Sequence, residues 1–173
     1  MVTLTQKPPR KAPPEPPVPD VKAAGQGGQG KIRVLLADDH AFMRETLAVM
    51  LNRQPDLEMV GAASNGREAI RLARRLRPDV VIMDVTMPVM NGIEATRLLA
   101  AELPQVRVIG FSMHQEKMYK DRMQQAGAVA FLNKTTPLAD LLAALRQHGG
   151  AVRTAGVGQD CSLRAGLAAP AGQ

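Results

Sequence analysis

Residues 79–92 read DVVIMDVTMPVMNG, in which a short apolar run ends at Asp84 and is followed by turn-forming residues. An apolar run of this length, bounded by aspartates, is typical of a strand that is buried on both faces. Pro88 and Gly92 favour a loop directly after the strand. Asn91 is a residue type that often caps the start of a helix. The stretch therefore predicts a strand, a loop and a helix, with Asp84 at the carboxyl end of the strand.

The same succession of apolar runs and amphipathic segments occurs five times between Lys31 and about Gln147. The predicted strands are IRVLLA (32–37), LEMVGAA (57–63), DVVIMD (79–84), VRVIGFS (106–112) and AVAFLN (128–133). The predicted helices span about residues 41–53, 66–76, 91–102, 115–126 and 137–147, several of them opened by a turn or capping residue such as Asn65, Asn91 or Thr136 before Pro137. Strands that are apolar on both faces and alternate with helices form a parallel sheet covered on both sides. The expected fold class is therefore α/β, three-layered, with a doubly wound five-stranded parallel sheet.

The two ends of the chain differ in composition from the middle. Residues 1–30 contain seven prolines and end in GQGGQG, a composition typical of a stiff polyproline stretch joined to a flexible linker. Residues 148–173 contain repeated glycines and no sustained apolar period. We expect both end segments to be disordered and residues 31–147 to form one domain.

The formal net charge of +6 raises the question of a nucleic-acid partner. Residues 1–30 hold four basic and two acidic residues, and residues 146–173 hold three basic and one acidic, so most of the excess lies at the ends. The one basic stripe in the middle of the chain lies on and directly after one predicted helix, at Arg67, Arg71, Arg74, Arg75 and Arg77. Their helical spacing favours a solvated face over a phosphate-binding surface. With only 3 Phe, 1 Tyr and 0 Trp for base stacking, we expect no direct nucleic-acid binding.

The sequence also bears on the compartment. The apolar run before Asp84 is far shorter than the roughly 18 residues that a membrane helix needs, and the start, MVTLTQKPPRK, has no apolar segment of the signal-peptide kind. The single cysteine, Cys161, cannot form an internal disulfide or a thiolate metal site. We expect a soluble cytoplasmic protein with no membrane partner.

Charged and hydroxyl side chains follow four of the predicted strands. Asp38 and Asp39 come after the first, Asp84 ends the third, Ser112 ends the fourth, and Lys134 lies just beyond the fifth. Each alone is readily explained as a cap or a loop residue, but all parallel strands end at the same edge of the sheet. Three carboxylates at one edge repel one another unless a cation lies among them, and hard oxygen ligands suit Mg²⁺. Asp84 lies between the acid pair and the other two residues, so we predict that it is a nucleophile toward a phosphoryl group.

Taken together, ADDH (37–40), VVIMDVTMPVMNG (80–92), IGFSMH (109–114) and AFLNK (130–134) resemble the receiver domain of bacterial two-component response regulators. The resemblance spans about residues 31–147. It implies a flavodoxin-like (βα)5 fold that takes a phosphoryl group from a histidine kinase or a histidine phosphotransfer protein. It also implies no enzymatic activity apart from self-phosphorylation and autodephosphorylation.

The resemblance assigns a role to each site residue. It implies that Asp84 is the phosphoacceptor, that Ser112 is the switch hydroxyl and that Lys134 pairs with the phosphoryl group. Phe131 matches an aromatic residue whose rotamer follows that of Ser112, while Met87, Pro88 and Gly92 match the loop after the acceptor. The implied metal ligands are Asp38, Asp39, Asp84 and the backbone carbonyl of Thr86.

A surface that responds to phosphorylation is also expected. It would consist of the predicted helix 115–126 and the strands that flank it, with Lys117, Tyr119, Lys120 and Arg122 on the helix. We expect this surface to bind a partner protein or a second copy of the chain.

Two features depart from the family pattern. Many receivers have proline directly after the lysine, whereas Lys134 is followed by Thr135 and Thr136, with proline only at position 137. His40, directly after the acid pair, and SMH after the fourth strand are more similar to receivers joined to helix-turn-helix domains. The residues after Gln147 are too few and too rich in glycine for such a module, so we expect no DNA-binding output within this chain.

Several alternatives remain at this point. The receiver could be a stand-alone regulator, a phosphorelay intermediate or the detached carboxyl-terminal receiver of a hybrid histidine kinase. A degenerate receiver that never takes phosphate would usually lack one of the key side chains, and all five are present. A phosphatase of the haloacid dehalogenase type also forms an aspartyl phosphate with Mg²⁺, but it expects a second aspartate where Thr86 stands.

Overall fold

The computed structural model describes residues 30–113 and 117–150. Apart from residues 30 and 148–150, the predicted end segments lie outside the described residues. The strands are β1 (Ile32–Ala37), β2 (Leu57–Ala63), β3 (Val80–Asp84), β4 (Arg107–Ser112) and β5 (Ala130–Asn133). The helices are α1 (Ala41–Asn52), α2 (Gly66–Leu76), α3 (Gly92–Glu102), α4 (Lys117–Gln125) and α5 (Leu138–Gly149). Each predicted strand and helix is therefore present.

The strands form one parallel sheet in the order β2-β1-β3-β4-β5, which confirms the predicted α/β class. Side chains of each strand alternate between two buried clusters. On one face, Val34 and Leu36 of β1 pack with the leucines of α1 and α5. On the other face, Leu35 and Ala37 pack with α2, α3 and α4. All strands consequently end at one edge, the carboxyl edge, where the site residues were predicted.

Two of the three predicted capping residues form the expected hydrogen bonds at the start of a helix. The side chains of Asn65 and Asn91 accept hydrogen bonds of 2.9 Å from the backbone N–H groups of Glu68 and Glu94, as predicted for capping residues. Thr136 does not cap α5, because Pro137 occupies the capping position and no side chain bonds there. The start of α5 therefore relies on the fixed backbone angle of proline rather than on a capping hydroxyl.

Most element ends agree with the prediction to within one residue, but among the described residues the start of β5 and the end of α5 each differ by two. β5 begins at Ala130 rather than at residue 128, because the N–H of Ala128 donates to the carbonyl of Met123 and closes the end of α4. α5 continues to Gly149, two residues past the predicted end. Gly149 packs directly on Ile32, a contact between distant parts of the chain that local sequence does not reveal.

The arginines of α2 are exposed, as expected of a solvated helix face. Arg74 pairs with Glu102 of α3 through two hydrogen bonds of 2.8 Å. Among the described residues, no helix has the length and apolar character needed to cross a lipid bilayer.

The contact between α5 and β1 can be tested at two neighbouring glycines. A Cβ at Gly149 would overlap the branched side chain of Ile32, whereas a Cβ at Gly150 would have its nearest neighbour 3.6 Å away. We expect Gly149→Ala to lower the free energy of unfolding by about 1–3 kcal/mol, and Gly150→Ala to leave it nearly unchanged. Urea unfolding of both variants measures the difference, and equal midpoints would contradict this packing.

Candidate functional site

An acidic cluster lies at the carboxyl edge of the sheet. Asp38 directly follows β1 and Asp84 ends β3, and both side chains are buried. Asp39 and His40 adjoin them on the exposed side. One ligand atom from each of the four residues lies within 4.8 Å of the others, which is close enough for all to contact one cation. The predicted metal ligands Asp38, Asp39 and Asp84 are therefore brought together.

The ammonium group of Lys134 lies between the two buried carboxylates. Its Nζ is 2.6 Å from Oδ2 of Asp38 and 2.8 Å from Oδ2 of Asp84. The side chains are only 3%, 1% and 2% exposed for Lys134, Asp38 and Asp84, respectively. When all three groups are ionised, two negative charges face one positive charge, and the buried group carries a net charge of −1.

The pKa values of these groups follow from burial and charge. Burial raises the pKa of Asp84, and the charge of Asp38 adds to that effect, although the hydrogen bond and charge of Lys134 act against it. Burial by itself would lower the pKa of Lys134, but its close contacts with the carboxylates of Asp38 and Asp84, and their charges, outweigh burial, so this pKa is raised. Lys134 thus stays cationic while it holds the two carboxylates.

The ligand chemistry fits a divalent cation. Oδ2 of Asp38 is buried and accepts no hydrogen bond of ordinary geometry, although Lys134 lies beside it. The one positive charge of Lys134 is shared between two buried carboxylates, so the group still favours a further cation. Oxygen ligands from three carboxylates match the preference of Mg²⁺. Thr86, the fourth predicted ligand, is exposed two residues after Asp84, and its N–H is 3.4 Å from Oδ1 of Asp84.

Sequence reasoning gave no site role to two residues that contact the acid pair. His40 donates its backbone N–H to Oδ1 of Asp38 at 2.9 Å, and its Nδ1 lies 2.9 Å from Oδ1 of Asp39. Arg44 donates to the backbone carbonyl of Asp38 at 2.6 Å. His40 and Arg44 are four residues apart at the start of α1, so they lie on one face of that helix. That spacing next to two aspartates is a signal that could have identified them.

The loop between β3 and α3 is closed tightly against Asp84. Gly92 donates its N–H to the carbonyl of Val85 at 2.9 Å, and a Cβ at this position would overlap the backbone oxygen of Asp84. Val89, which is exposed, has a φ of 68°, a strained angle for a β-branched residue. The N–H of Gly66 in α2 donates to the carbonyl of Met90 at 3.0 Å. The backbone of this loop is thus tied at both ends.

Ser112 and Phe131 lie on the neighbouring strands. Asp84 pairs in register with Phe111, so Ser112 is one residue further along β4, and its side chain is buried. The ring of Phe131 on β5 occupies the space beside Gly110 that a side chain would otherwise fill. Phe131 is half-buried and packs against the cluster under α4. Ser112 therefore lies on the strand next to that of Asp84, and Phe131 lies one strand further, against the cluster under α4.

The predicted partner surface on α4 is mostly accessible. Lys117, Lys120 and Arg122 are exposed. Tyr119 is half-buried and packs against the core beneath the helix. This side of α4 therefore combines basic groups with one anchored aromatic residue.

Comparison with known proteins gives a consistent result. A family model described as the response regulator receiver domain matches residues 34–146. The transcriptional regulatory protein LiaR of Bacillus subtilis is 44% identical over 117 residues, which are 66% of this chain and 54% of LiaR. The response regulator GacA of Pseudomonas aeruginosa is 40% identical over 116 residues, 67% of this chain and 54% of GacA. The chain spans about half the length of these relatives.

Solved structures agree with the sequence matches. The response regulator domain of Thermotoga maritima CheB has a TM-score of 0.63 and 39% identity, covering 68% of this chain and 96% of that chain. A LuxR-family two-component response regulator from Aurantimonas sp. SI85-9A1 has a TM-score of 0.65 and 33% identity, with 72% and 91% coverage. These matches favour a receiver over a phosphatase of the haloacid dehalogenase type.

Substitution of Asp84 should increase stability at neutral pH. Because the pKa of Asp84 is raised, the native protein holds this proton more tightly than the unfolded chain does. Stability then falls as the pH rises from the ordinary carboxyl pKa through the raised value. We expect Asp84→Asn, in buffer with a metal chelator, to have a higher urea midpoint than the parent at pH 7. The difference should disappear in acid, where the Asp84 carboxyl of the parent is protonated in both the native and the unfolded state.

Asp56→Asn provides a control of opposite sign. Hydrogen bonds from Arg146 lower the pKa of the exposed Asp56 carboxyl, so its ionised form stabilises the fold above the ordinary carboxyl pKa. This variant should be less stable than the parent at pH 7 and equal to it in acid. A lower midpoint for Asp84→Asn at pH 7 would contradict the charge imbalance described for Asp38, Asp84 and Lys134.

Proposed function

This chain belongs to the response regulator receiver domain family, and we propose that it accepts a phosphoryl group on the side chain of Asp84. The donor would be a phosphohistidine of a histidine kinase or a histidine phosphotransfer protein. The observation that carries the proposal is the buried contact of Lys134 with both Asp38 and Asp84. One fixed ammonium group is thereby held at the oxygen that would carry the phosphoryl group.

The proposed reaction is a transfer between two side chains. A carboxylate oxygen of Asp84 forms a bond to phosphorus while the bond between phosphorus and the histidine nitrogen breaks. The electron pair of the broken bond stays on the imidazole, and the product is an acyl phosphate. Lys134 would then move its ion pair from the Asp84 carboxylate to the phosphoryl oxygens, and it would stabilise the charge on them.

The residues that would hold Mg²⁺ are Asp38, Asp39, Asp84 and the backbone carbonyl of Thr86. When bound, Mg²⁺ would neutralise charge on the phosphoryl oxygens. The support is the net negative charge of the buried group and the oxygen of Asp38 that accepts no proper hydrogen bond. His40, whose ring lies against Asp39, would have to accommodate the ion as it enters from the exposed side.

The proposed output is a change of the surface made by α4 and β5. The hydroxyl of Ser112 would donate a charge-assisted hydrogen bond to the phosphoryl group, and the loop after β4 would move inward. Phe131 would turn into the space that this movement leaves. The altered surface, with Lys117, Lys120 and Arg122 on α4, would bind a partner protein or form a homodimer.

We propose residues 31–147 as the receiver domain, with the flanking segments unnecessary for phosphorylation. Self-phosphorylation and autodephosphorylation would be its only catalysed reactions. We propose that these residues bind protein and not nucleic acid, because the relatives named as transcriptional regulators are about twice as long. The cytoplasm is the proposed compartment, since the proposed donor is a kinase. A detached receiver of a hybrid histidine kinase remains the alternative setting.

Phosphorylation should require Asp84 and a divalent cation. We expect acetyl phosphate with Mg²⁺ to give an acid-stable, base-labile adduct on the full chain, and Asp84→Asn to abolish it. Removal of Mg²⁺ with a chelator should have nearly the same effect, because the carboxylates then repel the incoming anion. Mass spectrometry of the intact protein measures the added phosphoryl group.

Asp56→Asn serves as the control for this experiment, since it removes a carboxylate far from the carboxyl edge, and it should label like the parent. An unchanged level of label in Asp84→Asn would show that another residue is the acceptor.

Ser112→Ala should separate phosphorylation from its consequence. We expect this variant to accept phosphate on Asp84 but to lose most of the phosphate-induced change in amide hydrogen exchange over residues 117–133. A hydrogen bond to a charged group contributes about 1.5–3 kcal/mol, which would shift a two-state equilibrium about tenfold to a hundredfold. Ser112→Thr keeps the hydroxyl and should retain the change. If Ser112→Ala responds to phosphate as the parent does, the hydroxyl is not the trigger.

A further inference from the structure

The turn after β5 is organised by the side chain of Asn133. Its Oδ1 accepts two hydrogen bonds from Thr135, one from the backbone N–H at 2.8 Å and one from the hydroxyl at 2.6 Å. The carbonyl of Asn133 accepts a third bond, of 2.9 Å, from the N–H of Thr136. An asparagine that bonds to the backbone two residues later shapes the chain like a backbone turn does. The residue enclosed by this turn is Lys134.

Lys134 is held from both sides of its backbone. Its N–H donates to the carbonyl of Ser112 at 2.9 Å, which fixes it to the end of β4. The turn made by Asn133 fixes the backbone that follows. The side chain leaves this point to place Nζ between Asp38 and Asp84. The direction of a long side chain depends on the backbone from which it starts, so the turn determines where the ammonium group lies.

The other end of the Asn133 amide is also engaged. Nδ2 donates to the carbonyl of Met113 at 3.4 Å, directly after Ser112. This contact orients the amide so that Oδ1 faces Thr135. Proline after Lys134 would restrict the turn without any side-chain bond, but this chain has Thr135 there. The hydrogen bonds of Asn133 supply the restriction instead.

From this geometry we propose that Asn133 is a positioning residue for phosphoryl transfer, acting on Lys134 through the turn that it closes. The inference rests on the proposed function of Asp84. It gives a site role to a residue that does not itself touch the acidic cluster.

Labelling kinetics of full-length variants tests the proposal. With acetyl phosphate and saturating Mg²⁺, we expect Asn133→Ala to label Asp84 about tenfold to a hundredfold more slowly than the parent, because a small misplacement of a charged group has a large effect on rate. Asn133→Ser should recover most of the rate, since a serine hydroxyl can accept the same bond from Thr135. Thr136→Ala keeps the backbone N–H that enters the turn and should label at the parent rate.

Two further measurements separate positioning from loss of structure. The urea midpoint and the Mg²⁺ concentration for half-maximal rate should stay near parent values in Asn133→Ala. If that variant does not fold, Thr135→Val decides, because it removes one of the two bonds to Oδ1 at an exposed position and should slow labelling severalfold. A parent-like labelling rate in Asn133→Ala overturns the proposal. If Asn133→Ala does not fold, a parent-like rate in Thr135→Val overturns it instead. An equal loss of rate in Asn133→Ala and Asn133→Ser also overturns it.

A parallel reaction with Asp84→Asn distinguishes this inference from the function on which it rests. Absence of label in Asp84→Asn together with a parent-like rate in Asn133→Ala would overturn the role of Asn133 alone. Label on Asp84→Asn would overturn the assignment of the acceptor, and the positioning role with it.

Discussion

Two buried carboxylates that share one buried ammonium group are the constraint on which the rest of this structure depends. Removing such charges from water costs several kcal/mol per ion unless geometry and pairing compensate. Asp38, Asp84 and Lys134 come from the ends of three different strands, and the order β2-β1-β3-β4-β5 is what brings them to one place. The pairing leaves one negative charge unmatched. This unmatched charge is the property that would attract a divalent cation and, with it, a phosphoryl group.

The sequence predicted the architecture because the relevant signals are local. Apolar runs identify the buried strands, and Asn65 and Asn91 act on backbone N–H groups three residues away. The predicted end of α5 was wrong because the observed end depends on the contact between Gly149 and Ile32, which are far apart in the chain. Because parallel strands end at one edge of the sheet, Asp38, Asp39 and Asp84 could be grouped without knowledge of their side-chain positions.

The contacts within the candidate site were harder to predict from the sequence, because they join residues that are far apart in the chain. The positions of the strand ends predicted that Lys134 lies near Asp84, but they did not reveal that its ammonium group contacts both buried carboxylates. The role of Phe131 came from the resemblance alone. His40 was visible in the sequence, but its contact with both aspartates depends on how α1 starts, where no side chain caps the helix. Asn133 resembles an ordinary turn residue until its bonds to Thr135 and Met113 are seen together.

The contact between Gly149 and Ile32 has a consequence for how such a domain can be combined with others. It places the entry and the exit of residues 30–150 side by side at the amino edge of the sheet. A unit whose ends meet can be inserted into a loop of a host protein, or exchanged between hosts, without separating the flanking parts. The six residues of β1 put this junction roughly 20 Å from the acidic cluster. A domain joined at this junction would therefore lie far from the acidic cluster, and the sequence of the junction could change without altering that cluster.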